Sequence, residues 1–275
     1  MSESSYGTVL LVDGFVYGEG PRWHDDRLWF TDGFSGQVLV VEDGVLRAAA
    51  DVPKASGLGW LSDGTLVVSL LGEAAVVLVR PDGSETRHDL GHLAWTTNDV
   101  VVHDDRIYVD LYYRKGERVG AIGLVSPDGE TRVVADDLAM PNGMVVAADG
   151  STLIVSETFG GRLLAFTITP KGDLTDQRVF AELGDGRHPD GLCLDTEGAV
   201  WVGCYDTGEF LRVRDGGEVA DRVPVSPGWA VAPALGGPDG RTLFLVIDET
   251  THEGLFSGDS IGRVETVEVE VPAAP

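Results

Sequence analysis

Short runs in which apolar and polar residues alternate recur along the whole chain: RLWFTD, GTLVVSL, RIYVDLY, STLIVSE and AVWVGC. A period of two places successive side chains on opposite faces of a strand, so each run predicts a β-strand rather than a helix turn. Between them lie Asp-Gly pairs beginning at 43, 63, 82, 128, 149 and 215, the signature of hairpin turns that need positive φ. Helix signals are nearly absent.

The runs belong to a larger repeat. Segments starting at Glu19, Ser56, Asn98, Asn142, Asp190 and Trp229 each follow the order short strand, acidic or glycine turn, β-rich strand, irregular link, third strand, turn. The starts lie 37, 42, 44, 48 and 39 residues apart, close to the roughly 40–50 residues of a four-stranded propeller blade. The expected fold is therefore all-β, one six-bladed β-propeller domain over residues 1–275 with four-stranded antiparallel blades. GTVLLVDG precedes the first repeat, and it is expected to supply the outer strand of the last blade and so close the ring, removing open sheet edges.

Composition narrows the partners. With 43% hydrophobic and 24% charged residues the chain can bury a core. Its 20 Lys and Arg stand against 45 Asp and Glu, and a net charge of -25 repels nucleic acid and anionic membrane surfaces alike. No basic segment precedes the first short apolar run, and nowhere do eighteen apolar residues follow one another, so a cytoplasmic protein is expected. Cys193 and Cys204 form no CxxC and are expected as reduced residues in neighbouring strands. Oligomeric state is not readable. No GxSxG elbow, P-loop, HExxH or complete GxGxxG occurs.

Equivalent positions in different repeats converge on a propeller's axis. Aligning the copies puts Glu19, Ser56, Asn98, Asn142 and Asp190 in one ring, with an apolar residue or Pro near Ala232 or Pro233 in the sixth place. Asn or Asp before Gly is by itself an ordinary turn signal. The shared repeat phase points instead to a site. Two carboxylates held together repel unless a cation lies between them. A divalent metal held by Glu19, Asn142 and Asp190, with Asn98 beside it, is the expected resolution. All-oxygen ligands favour Ca²⁺, Mg²⁺ or Mn²⁺, and Zn²⁺ also tolerates carboxylates; Ca²⁺ is the first expectation.

The same residues carry a resemblance. Glu-Gly-Pro at 19–21 with Trp23, Asn-Asp at 98–99, Pro-Asn-Gly at 141–143, Pro-Asp-Gly at 189–191 and Gly-Gly-Pro-Asp at 236–239 resemble, in order, the family of senescence marker protein (regucalcin), gluconolactonase and luciferin-regenerating enzyme, over about residues 15–250. The resemblance implies a six-bladed propeller with one divalent metal on Glu19, Asn142 and Asp190, and hydrolysis of a small-molecule lactone. It also implies that Asn98 contacts substrate or a metal-associated water. A metal polarises a lactone carbonyl and activates water, and Asp190 can then act as general base.

One departure bears on the substrate. Sugar-lactonase members resemble Arg-x-Asn-Asp-Gly where this chain has Thr96, Thr97, Asn98, Asp99 and Val100. Thr96 takes the arginine's place as the expected substrate-binding neighbour, which argues against assuming an aldonolactone. Trp95 and Trp229 are placed beside the same rim or in the core, and His188 at the rim or in a surface turn. Asp32, Asp110, Glu157, Asp206 and Asp248 end or follow second strands; most are expected to be solvated, with one or two available to substrate. A non-enzymatic calcium- or small-molecule-binding propeller, a protein-binding scaffold and a propeller diverted to another reaction are the alternatives.

Overall fold

The computed structural model describes residues 7–114, 119–184 and 186–274. Its strands form six separate four-stranded antiparallel sheets, and the six repeats are the six blades. The innermost strands are Gly18–His24, Ala55–Trp60, Val100–His103, Pro141–Val146, Pro189–Leu194 and Trp229–Gly236. The first and fourth to sixth enclose the channel with close strand-to-strand contacts, and those contacts continue through the second and third blades. Among the described residues, helix is confined to a single turn at Gly254–Ser257 and a 3₁₀ turn at Thr158–Gly160.

Blades stack face to face, so the second and third strands are covered on both sides. Leu66–Leu70, Val200–Cys204 and Gly120–Val125 are buried at every position, and alternation in burial survives mainly in outer strands such as Glu85–Asp89. Six apolar clusters follow the blade-to-blade interfaces, for example Val67, Val76 and Leu78 with Val100, Val109 and Leu111. Cys193 and Cys204 are free thiols on adjacent strands, as expected.

Val9–Phe15 pairs antiparallel with Ile261–Glu268 and completes the sixth blade, so the first strand of the chain closes the ring. The turns divide into two kinds. Asp43 and Gly44 both have positive φ, as do Asp25 with Asp26 and Asp104 with Asp105, whereas at 64, 83, 129, 150 and 216 only the glycine does. In most of the second kind the aspartate side chain accepts the backbone N–H two residues on, as Asp63 does from Thr65 at 2.9 Å and Asp82 from Ser84 at 2.9 Å.

Candidate functional site

The ring residues sit where each innermost strand leaves regular pairing. In the first blade the register breaks between Glu19 and Arg22, in the second between Ala55 and Leu58, in the fourth between Pro141 and Met144, and in the fifth between Pro189 and Leu192. A bulge frees a residue from the ladder and re-aims its side chain. Here the freed residues are Ser56, Asn142 and Asp190, with Glu19 at the edge of its break. In the sixth blade the break falls between Ala230 and Ala232, so Val231 holds the sixth ring position, one residue before Ala232 and two before Pro233, where it was expected.

Glycine follows the polar residue for a steric reason. A Cβ on Gly143 would lie 2.3 Å from the Asp190 carbonyl oxygen and 2.7 Å from the Gly191 Cα, and one on Gly191 would lie 2.3 Å from the Ala232 Cβ. Neither glycine has positive φ. Asn-Gly and Asp-Gly are therefore strand positions where neighbouring backbones converge, and the turn interpretation of these pairs does not hold.

The ring is held from the next strand outward. Thr31 Oγ1 donates to the Ser56 carbonyl at 2.5 Å, Ser69 Oγ to the Asn98 carbonyl, and Ser156 Oγ to the Asp190 carbonyl at 2.7 Å. Each hydroxyl lies on a second strand and fixes the ring residue of the following blade. Carboxylates ending the second strands do the complementary job. Asp32 accepts the Val16 and Tyr17 N–H groups at 3.1 Å each, Asp110 those of Asn98 and Asp99 at 2.6 and 2.9 Å, Glu157 that of Ala139 at 2.8 Å, and Asp248 that of Gly18 at 3.1 Å. These four carboxylates are buried, contrary to the expectation of solvated acids, because the ligand-bearing loops bring unpaired N–H groups to them. Asp206 is exposed, as expected of a solvated acid, and bonds His188 Nδ1.

Glu19, Asn98, Asn142 and Asp190 are all buried in one connected group. Ser56 Oγ donates to Asn98 Oδ1 at 2.7 Å, and Asn98 Nδ2 donates to Asn142 Oδ1 at 3.0 Å. Asn142 Nδ2 in turn donates to Thr158 Oγ1 at 3.4 Å. Burial pushes the Asp190 carboxyl up to about 8, the charge of Asp99 adds to the rise, and the Asn142 amide opposes it. The Glu19 carboxyl is also raised well above its ordinary range, by burial first and then by Asp190, Asp99 and Asp248, against one Gly20 N–H. Two carboxyls are thus held in one low-dielectric space, and among the described residues no cationic side chain pairs with either.

The donor set fits a divalent cation on one further observation: Asp190 Oδ1 is buried and has no hydrogen-bond partner. Asn142 Oδ1 has two lone pairs, and the Asn98 bond engages one. Among the described residues no three His, Cys, Asp or Glu side chains cluster as a metal site, so the ion would rest on two carboxylates and an amide.

Thr96 does not offer its hydroxyl to the channel. Its Oγ1 accepts the Gly72 N–H at 2.6 Å and donates to the Thr97 carbonyl at 2.9 Å. Two tyrosines were not apparent in the sequence pattern. The Tyr17 phenol is buried beside the Glu19 charge, and the buried Tyr112 phenol donates to Asp110 Oδ2 at 3.2 Å; burial and the neighbouring carboxylates raise both well above the ordinary value. Tyr17 lies two residues before Glu19, the one signal available for it.

A sequence model of the family described as SMP-30/Gluconolactonase/LRE-like region matches residues 17–248. The chain is similar to a 6-deoxy-6-sulfogluconolactonase of Pseudomonas putida, at 26% identity over 166 residues, or 59% of this chain. The match spans 57% of that relative's length. It is also similar to a pentonolactonase of Haloferax volcanii, at 24% identity over 271 residues, covering 94% of this chain and 92% of the relative. A solved structure of a calcium-binding protein, regucalcin, from Agrobacterium tumefaciens has the same fold, with a TM-score of 0.79 at 21% identity over 100% of both chains. No helix among the described residues is long and apolar enough to cross a membrane.

Proposed function

The chain belongs to the SMP-30/gluconolactonase/LRE-like family, and from that premise we propose that it is a divalent-metal-dependent hydrolase of a small-molecule lactone. The observation that carries the reading is the unpartnered, buried Asp190 Oδ1 beside Glu19 and Asn142. The two lactonase relatives favour the reaction class. The calcium-binding relative and the all-oxygen donor set favour Ca²⁺, with Mg²⁺, Mn²⁺ or Zn²⁺ as alternatives.

Glu19, Asn142 and Asp190 would hold the ion, which supplies charge stabilisation at a lactone carbonyl and acidifies a nearby water. The protein's own groups do the rest. Asp190 takes the proton of the attacking water, the water oxygen bonds to the carbonyl carbon, and the ring C–O bond breaks. The proton then passes to the ring oxygen, which leaves as an alcohol, so lactone plus water gives a hydroxy acid. Asn98 Nδ2 has a second N–H besides the one given to Asn142, and we assign it to the substrate carbonyl. Glu19 stays ionised and holds charge.

The test is acid release from a lactone panel by chelator-stripped protein, before and after adding Ca²⁺, Mg²⁺, Mn²⁺ or Zn²⁺ singly. Metal-restored turnover that Asp190→Asn abolishes is the expected result. Saturable metal binding without turnover of any lactone would favour a non-enzymatic calcium-binding propeller instead.

A further inference from the structure

The rim that carries Glu19, Asn142 and Asp190 is built from links entering the innermost strands and links leaving the second strands. Two features of its side chains stand out. Among the described residues, the only large exposed apolar side chains that are aromatic are Phe34, 43% exposed, and Trp95, 44% exposed, and both lie in these links. Leu71, 39% exposed, lies between them on the second blade, where it bridges to Thr97.

The other half of the rim, from the fourth to the sixth blade, carries a continuous run of rings. Phe159 and His188 have centroids 5.6 Å apart, His188 and Tyr205 5.7 Å, Tyr205 and Trp229 5.0 Å, and Trp229 and His252 5.0 Å. The link holding His252 also reaches the first blade, since a Cβ on Gly258 would lie 3.1 Å from Phe34 Cδ1. A run of rings therefore reaches from the fourth blade to the sixth, and the sixth-blade link meets Phe34 of the first. Three described cations on the rim are held in ion pairs: Lys54 with Glu73 at 2.8 Å, Arg162 with Glu157 at 2.5 Å and Arg187 with Glu209 at 2.7 Å. The Thr96 hydroxyl is likewise spent on backbone groups.

We propose that the lactone this site accepts carries an apolar substituent, alkyl or aryl, which lies against Trp95, Leu71 and Phe34 while its ring carbonyl reaches Asn98. This deepens the hydrolase reading and rests on it. A polyhydroxylated substituent would leave water for Leu71, Phe34 and Trp95, of which only the Trp95 indole N–H can return a hydrogen bond, whereas an alkyl or aryl group gains by burial against them. Selection among substrates then follows from the mouth, and the chemistry from the buried ring below it.

The deciding experiment compares kcat/KM of Ca²⁺-loaded protein for two lactones of equal ring size, one bearing a hexyl or phenyl group and one polyhydroxylated. In parallel, calorimetry follows binding of the matching non-hydrolysable lactams. We expect a preference for the apolar lactone of more than about tenfold. Trp95→Ala should narrow that ratio to within about threefold, mainly through KM, and Phe34→Ala should narrow it in the same direction. Trp95 and Phe34 are exposed, and circular dichroism checks that both variants fold. Equal or better turnover of the polyhydroxylated lactone overturns the inference and leaves the hydrolase reading standing. If neither lactone is turned over, but the apolar lactam binds more tightly and Trp95→Ala weakens it, the apolar recognition stands and hydrolysis falls. Equal lactam binding with no turnover removes both.

Discussion

Asn98 Nδ2 donates to Asn142 Oδ1 at 3.0 Å, linking the ring positions of the third and fourth blades across 44 residues of sequence. The amide orientation is set from both sides, because Ser56 Oγ donates to Asn98 Oδ1 at 2.7 Å and Asn142 Nδ2 donates to Thr158 Oγ1 at 3.4 Å. Asn98 thus presents donors and Asn142 presents an acceptor. The two amides, alike in sequence, have opposite parts in the proposed chemistry.

That difference separates two variants. Asn98→Ala removes a donor to the substrate and is expected to lower kcat by about 10²-fold at saturating Ca²⁺, with Ca²⁺ affinity changed by less than about tenfold. Asn142→Ala removes a ligand and is expected to weaken Ca²⁺ binding by at least about 10–100-fold. Calorimetric Ca²⁺ titration beside steady-state kinetics reads both effects. Similar losses of affinity in the two variants would contradict the assignment.

The paired carboxyls give the metal-free protein an uncommon pH dependence. Asp190 is pushed up to about 8 in the folded state, mainly by burial, while an unfolded aspartate titrates near about 4. Between these values the folded state binds the extra proton, so stability falls as pH rises. The penalty is absent below about 4 and complete above about 8; Glu19 shifts in the same direction. Urea midpoints of chelated protein should therefore fall across this window after its other carboxylates are allowed for, and saturating Ca²⁺ should remove most of the fall. A midpoint in chelator that rises steadily from pH 5 to pH 8 would exclude the uncompensated pair.

Much of this was legible because repetition makes phase visible. Glu19, Asn142 and Asp190 stand at one repeat phase, and a propeller brings one phase to one place. GTVLLVDG had no partner within its own repeat, which marked it as the closing strand. Other features depend on three-dimensional approach that local pattern does not encode. Gly143 and Gly191 look like turn residues until the neighbouring strand is seen at contact distance. Asp110 and Asp248 look like exposed strand-end acids, yet they are buried on backbone N–H groups supplied by the Asn98 link and by Gly18. The recurring Thr-Asp and Ser-Glu pairs at 31–32 and 156–157 were the available signal for this bracing.

The hydroxyl bracing makes a stability prediction remote from any ligand atom. Ser156→Ala leaves the buried Asp190 carbonyl without its 2.7 Å donor and is expected to cost about 1–3 kcal/mol in urea unfolding. Because that carbonyl belongs to the proposed base, kcat should fall as well, while Ser156→Thr, which keeps the hydroxyl, should recover part of both losses. An alanine variant with unchanged urea midpoint and unchanged kcat would show that the bond is incidental.

Gly143 provides the sharpest steric test. An alanine methyl there would sit 2.3 Å from the Asp190 carbonyl oxygen and 2.7 Å from the Gly191 Cα, both backbone atoms that no side-chain rotation can clear. The fourth and fifth innermost strands must move apart, and overpacking of this kind costs about 1–3 kcal/mol or more. Separation also carries Asn142 away from Asp190, so Gly143→Ala should lose Ca²⁺ affinity together with stability. Gly44→Ala, in open space at an outer turn with φ of 74°, should lose stability through backbone strain but keep its Ca²⁺ affinity. Parallel thermal melts and Ca²⁺ titrations of the two variants separate general destabilisation from displacement of the ring, and intact Ca²⁺ binding by Gly143→Ala would disprove that the strand contact sets the site.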